Sequence, residues 1–219
     1  IEPVTFENED GLINVEVAYI DNIKTREVIE SVVADVDYEI DECGWYAKDL
    51  VTLEGEDLEA FNKLYEIKNR EINKPISMMV SSIDVLKKVA VIDENSNKVI
   101  NHFMPGPLTI ILKAKDNLPE HVTFNQKTIG IRIPDHQLAL KILEEVGLPL
   151  LVTSANISNE PSLIKAGDVK EKFNGKIASL IDEDAINGKA SSVVNVMEQV
   201  IVYREGPISK EQIEEVLGG

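Results

Sequence analysis

Cations and small hydroxyl or amide groups gather at a few short places in this chain. Lys68, Arg70 and Lys74 stand within seven residues, where an amphipathic helix gives way to Pro75. Cations at a helix end either complement its C-terminal dipole or offer positive charge to an anion. The run Phe103-Met104-Pro105-Gly106-Pro107-Leu108-Thr109 is a rigid Pro-Gly-Pro turn, either a plain sharp connection or a place where backbone approaches a ligand. Arg132 lies within the otherwise apolar Ile129-Gly130-Ile131-Arg132-Ile133-Pro134. A charge there must be paired or face a cleft, because burying it alone is prohibitive. Thr153-Ser154-Ala155-Asn156 follows an apolar strand, at the end where open α/β sheets bind ligands, although Ser154 or Asn156 would equally serve as a cap. Ser191-Ser192-Val193-Val194-Asn195 and Tyr203-Arg204-Glu205-Gly206 complete the set. Lys68, Arg70, Lys74, Arg132 and Arg204, with several hydroxyls beside them, are the equipment of a polyphosphate site, fixed cations and donors set against phosphate oxygens.

Other chemistries lack their residues. His102, His121 and His136 have no ligand spacing and suit surface or packing roles. No HExxH, P-loop, GxGxxG or GxSxG pattern occurs, which removes the sequence warrant for a metalloprotease, a P-loop NTPase, a dinucleotide enzyme or an α/β-hydrolase. The single cysteine, Cys43, excludes an internal disulfide and a Cys-rich metal site and fits a reducing cytoplasm. Apolar stretches such as Leu148–Val152 are far shorter than the roughly 20 residues of a membrane-spanning helix, and Ile1-Glu2-Pro3-Val4 does not resemble a secretory signal. A soluble, cytoplasmic protein without membrane contact is expected.

The 219 residues carry 39 acidic and 22 basic side chains, a net charge of −17. Residues 1–60 hold 18 of the acids and only Lys24, Arg26 and Lys48 as cations, so the remainder of the chain is close to neutral. An acidic surface repels phosphate backbones, so autonomous tight binding of nucleic acid is not expected. The acidic quarter reads as a solvated face or as a docking surface for a basic partner.

Elements that would position the candidate groups follow from periodicity. Leu12–Tyr19 alternates as a strand, and Glu30–Val36 is a second. Leu58, Phe61, Leu64 and Tyr65 have helical spacing in a helix running to Arg70. Ile76–Val80, Leu108–Ala114, Thr128–Ile133, Leu150–Thr153, Ile177–Ile181, Ser192–Val196 and Val200–Tyr203 read as strands. Ser82–Val89, Asn95–Phe103, His136–Val146, Lys165–Phe173 and Ser209–Leu217 read as helices, with Gly147 closing the third. Interleaved strands and helices without repeats or a linker predict an α/β or α+β domain on one mixed sheet.

Ala60–Arg70 with Lys74-Pro75-Ile76, Phe103–Ile110, Gly130–His136, Thr153–Ser158, Ser191–Val194 and Tyr203–Gly206 together resemble the YrdC-like family, the threonylcarbamoyl-AMP synthases. The resemblance runs from about residue 58 to 217, with the motifs in family order. It implies a single YrdC-like domain over 1–219, with a twisted, mixed parallel and antiparallel sheet, flanked by helices, around a large open cleft. It also implies a nucleotidyltransferase reaction in which L-threonine, bicarbonate and ATP, with Mg²⁺, give threonylcarbamoyl-AMP for modification of adenosine 37 in tRNA. Other tRNA-modification proteins are then expected partners. By the same resemblance Lys68, Arg70, Lys74, Thr109, Ser154, Asn156, Ser192 and Arg204 bind ATP, and Arg132 and Thr153 the threonine.

Family members carry a Pro-Thr-x-Thr-Val-Tyr-Gly-like segment after an early strand. The corresponding stretch here is Val36–Asp49, where aligning Gly44 with the motif glycine puts Asp41 in place of a threonine and Cys43 in place of the tyrosine. Added carboxylates repel ATP and a carboxylate substrate. The alternative to a synthase is therefore a non-catalytic YrdC-like protein that binds a nucleotide or a partner and has a degenerate threonine site.

Overall fold

The β-branched run at Leu108–Ala114 becomes the longest strand of a mixed sheet in the computed structural model, which describes residues 4–8, 11–15, 51–52, 58–72, 74–177 and 190–218. In chain order the elements are β1 (Val4–Asn8), β2 (Gly11–Val15), β3 (Val51–Thr52), α1 (Leu58–Ile67), β4 (Ser77–Met79) and α2 (Ile83–Val89). There follow β5 (Ala90–Val91), α3 (Glu94–Phe103), β6 (Leu108–Ala114), α4 (Glu120–Thr123), β7 (Thr128–Arg132) and α5 (Gln137–Val146). The chain closes with β8 (Leu150–Val152), α6 (Ala166–Phe173), β9 (Ser192–Asn195), β10 (Ile201–Arg204) and α7 (Lys210–Leu217).

The main sheet runs β10-β9-β6-β7-β4-β8-β3, with β5 also paired to β6. Parallel pairs (β4 with β7, β6 with β9) and antiparallel pairs (β6 with β7, β9 with β10, β5 with β6) coexist, giving the mixed sheet and α/β class that the sequence predicts. Its register sorts side chains by period two. Ile110 pairs with Ile131 and with Val194, Met78 with Ile131, and Leu108 with Ser192, so these residues share a face on which all of them are fully buried. Met79 pairs with Arg132, Ile111 with Gly130, and Thr109 with Val193, which sets Arg132 and Thr109 on the other face.

Local chemistry caps several of the helices. Ser82 and Asp93 accept the backbone N–H of Val85 and Ser96 at the starts of α2 and α3. His136 accepts that of Ala139 through Nδ1 at α5, and Ser209 forms a capping box with Gln212 at α7. Gly147 closes α5 at φ 69°, the left-handed conformation that glycine adopts without strain.

Several boundaries differ from expectation. α1 ends at Ile67 rather than near Arg70, and the chain then turns through Asn69 at φ 48°. β3, β5 and α4 are too short for periodicity to register; β2 falls on the start of the strand expected over Leu12–Tyr19, but its antiparallel partner β1 was not indicated. Ile177 lies in a bend; residues 16–19, 30–36 and 178–181, expected as strands, lie outside the described residues, as does the Val36–Asp49 stretch.

Two compact units divide the chain. The first takes residues 1–51, 56–72 and 152–188, and the second residues 52–55, 73–151 and 189–219. In the first, Ala155, Val169, Phe173 and Ile177 form a buried cluster with Ile67, Ile157 and Leu163 packed against it. The second contains most of the sheet, with Met78, Leu108, Ile110 and Ile131 at its core. No helix among the described residues is long and apolar enough to cross a membrane.

Candidate functional site

The residues nominated by sequence fall into two sets, one in each unit. Lys68, Arg70, Thr153, Ser154 and Asn156 belong to the first, and Lys74, Thr109, Arg132, Ser192 and Arg204 to the second.

In the first unit Lys68 is a hub. Its side chain is buried, at 2% exposure, and Nζ donates to the carbonyl oxygens of Ser154 (2.5 Å) and Asn156 (2.8 Å) and to Asn156 Oδ1 (2.8 Å). Its own carbonyl accepts the Ser158 N–H at 2.7 Å. Ser154 Oγ donates to Asn156 Oδ1 (2.9 Å) and Asn156 Nδ2 to the Glu160 carbonyl (2.6 Å), so the segment 154–160 is folded around one ammonium group. Lys172 pairs with Glu160 at its outer side. Such charge-assisted bonds are roughly twice as strong as neutral ones, which is why one cation organises so much loop. Arg70 is held by a backbone bond to the Tyr65 carbonyl (2.8 Å) and by a side-chain bond to the Tyr65 hydroxyl. Burial pushes the Tyr65 hydroxyl up to about 12, opposed by the charge and hydrogen bond of Arg70. Thr153 and Asn156 are half-buried and Ser154 is exposed.

In the second unit one sheet face collects the polar groups. Arg132 ends β7, nine-tenths buried, with Nε donating to the Gly106 carbonyl at 2.9 Å; Gly106 N–H in turn donates to Ile133 at 2.9 Å. A Cβ on Gly106 would overlap the Phe103 carbonyl, so the Pro-Gly-Pro turn needs that glycine to approach so closely. Thr109 Oγ1 lies 2.8 Å from Ser191 Oγ, and Arg204 donates from Nε to the Ser191 carbonyl (2.8 Å) and from Nη2 to Ser191 Oγ (3.0 Å). Ser192 takes a different part. Its hydroxyl donates to the Ile208 carbonyl (2.6 Å) and accepts the N–H groups of Gly206 and Ile208 (3.0 Å each), while its N–H reaches the Pro107 carbonyl at 3.0 Å. It is wholly buried and ties the 105–107 turn to the 206–208 turn. Lys74 is half-buried just before β4.

Like charges meet on that face. Burial first, and then the charge of Arg204, push Arg132 down to about 10, with Asp135 opposing. Burial lowers Arg204 as well. Both remain cations at neutral pH, and a ligand that is itself anionic relieves the cost of holding them together. Among the described residues no three His, Cys, Asp or Glu side chains come together to hold a metal ion.

Comparison with known proteins gives the family. The Sua5–YciO–YrdC family model, described as "Telomere recombination", matches residues 53–206. The chain belongs to this family. Within the Sua5–YciO–YrdC family it is 37% identical over 164 residues to a threonylcarbamoyl-AMP synthase of Bacillus subtilis (73% of this chain, 47% of the relative). It is 34% identical over 165 residues to the Pyrococcus abyssi protein of the same name (74% and 48%). The chain thus spans about half the length of these curated relatives. The crystal structure of P. abyssi Sua5 complexed with L-threonine superposes with a TM-score of 0.73 at 29% identity, covering 92% of this chain and 61% of that one.

The sequence places Ser191 in a candidate motif but gives the ligand hydroxyl to its neighbour Ser192, and it does not single out Tyr65. Parity would have found Ser191. Thr109 is paired with Val193, so the residue two before Val193 lies on the Thr109 face and Ser192 on the opposite one. Tyr65 was assigned to the apolar stripe of α1, and only its hydroxyl, at the level of Arg70, distinguishes it.

Proposed function

We propose that this chain makes threonylcarbamoyl-AMP from L-threonine, bicarbonate and ATP, as a nucleotidyltransferase of tRNA adenosine-37 modification. The observation that carries the reading is the pair of arginines, Arg132 nine-tenths buried and Arg204 exposed at the rim, set on one sheet face with Thr109 and Ser191 and held there at an electrostatic cost that an anion would repay. The curated relatives bearing the synthase name support it.

Arg204 and Lys74 then neutralise phosphate charge, and Arg132 takes the carboxylate of threonine, as it does in the family resemblance. By the family resemblance Arg70, Ser154 and Asn156 are nucleotide contacts and Thr153 a threonine contact. Lys68 serves by holding the 154–160 segment, Ser192 through the turns it braces, and Thr109 through its contact with the Ser191 hydroxyl. The threonine amine takes up bicarbonate, losing water, to give a carbamate. A carbamate oxygen then attacks the α-phosphorus, forming the P–O bond as the bond to pyrophosphate breaks. The chemistry needs positioning and charge neutralisation more than a general base. Mg²⁺, when present, supplies charge neutralisation on the phosphates and comes with the nucleotide, since magnesium favours phosphate oxygens and water over dedicated protein cages. A cytoplasmic location and association with other tRNA-modification proteins go with this reading, as does the absence of autonomous nucleic-acid binding.

Release of pyrophosphate from ATP that depends on both threonine and bicarbonate is the expected result. ATP binding without turnover would select the non-catalytic alternative, and no ATP binding would overturn both.

A further inference from the structure

Arg204 reaches the polar face of the sheet because β10 carries one extra residue. Val202 pairs with Val194, and continued antiparallel pairing would set Arg204 opposite Ser192, on the buried face. The register shifts between Val202 and Arg204, so Arg204 stands opposite Val193 instead and Tyr203 is left 62% exposed. A bulge of this kind re-aims a side chain. It does not fix the head of a long one, whose torsions remain free.

Ser191 removes that freedom. One residue engages both donors along one edge of the guanidinium, its carbonyl taking Nε–H at 2.8 Å and its hydroxyl taking Nη2–H at 3.0 Å. Arginine only donates, so Ser191 Oγ is an acceptor there. The Thr109 hydroxyl at 2.8 Å sets the Ser191 rotamer, and both hydroxyls are buried, at 2% and 6% exposure. Ser191 itself cannot shift. Ser192 beside it is anchored to Pro107, Gly206 and Ile208, and a Cβ on Gly206 would overlap the backbone of Ser191 and Ser192.

We propose that Ser191, with its rotamer set by Thr109, is a positioning residue that fixes the rotational setting of the Arg204 guanidinium before any ligand arrives. The remaining N–H groups of Arg204 are thereby presented as a fixed fork to one group of acceptor oxygens. The identity of that group as an ATP phosphate rests on the synthase reading; the clamp does not.

Two measurements on the whole chain test it. In the ligand-free protein, nitrogen-detected NMR of the arginine side chains reads rotation about the Arg204 Nε–Cζ bond. Ser191→Ala accelerates that rotation about tenfold or more, Thr109→Val accelerates it less, and Thr109→Ser, which keeps the hydroxyl, restores the slow rate. In calorimetry with ATP, Ser191→Ala weakens binding about tenfold in the natural chain but less than about twofold when Arg204 is already alanine, because a residue acting through Arg204 has nothing left to position. Unchanged rotation, or an equal loss of ATP affinity in both backgrounds, overturns the proposal. Should the natural chain bind no ATP, the synthase reading falls and the rotation rates alone decide the clamp.

Discussion

Lys68 in the first unit and Arg204 in the second are both cations in the family motifs, and they spend their charge in opposite ways. Lys68 is enclosed, and its ammonium directs hydrogen bonds into oxygens of its own loop, so the charge becomes shape. Arg204 stands at the rim of a sheet, gives two bonds to one serine and keeps the rest of its fork for an acceptor from outside. Around Lys68 the protein wraps carbonyl dipoles; around Arg204 and Arg132 it places another cation. A buried positive charge that is saturated stabilises a loop, whereas one that is crowded by a second cation stores a demand for an anion. Motif membership alone does not say which of these a lysine or arginine does.

The contrast is broken most forcefully at Lys68. Lys68→Met strands the oxygens of Ser154 and Asn156 and costs about 3 kcal/mol of stability in urea denaturation, with loss of ATP binding following from the misfolded loop. Full stability with lost ATP affinity would instead make Lys68 a direct ligand. Arg204→Ala is the converse. It weakens ATP binding by about 1–3 kcal/mol in calorimetry while the denaturation midpoint barely moves. Arg132→Ala sharpens the division within the second unit, raising the threonine KM more than the ATP KM in steady-state assays; the reverse order would place the carboxylate elsewhere. Tyr65 gives the first unit an alkaline signature. Its folded value of about 12 exceeds the ordinary 10, so the neutral form is favoured in the fold, and stability complete below pH 10 declines as pH rises toward 12. Tyr65→Phe flattens that decline in denaturation curves collected from pH 9 to 12. Ser209→Ala, at the α7 cap, costs about 1 kcal/mol and leaves ATP affinity unchanged, which controls for stability loss in the second unit.

Most of the strands and helices were legible because their signals are local. The apolar run at Leu108–Ala114, the cap at Ser209 and the glycine at Gly147 each act within a few residues. The candidate site was legible as a set of motifs, since cations and hydroxyls at element ends stand out in an acidic chain. Its internal roles were not. Ser192 looks like a ligand hydroxyl in the sequence, and its neighbour Ser191 holds Arg204 instead, because the choice depends on which strand face each occupies. The helix from Leu58 stops at Ile67, which frees Lys68 from the role of a dipole-complementing surface lysine and turns it into the centre of a loop more than eighty residues away in sequence.

The sequence by itself therefore determined the α/β class, the family and the inventory of charged groups, because alternation, capping and residue type are properties of neighbours along the chain. Tertiary structure decided what each group does. The bulge that turns Arg204 from the Ser192 face to the Val193 face, and the burial of Lys68 among carbonyls, arise from pairing and packing between segments far apart in sequence, for which local spacing carries no signal.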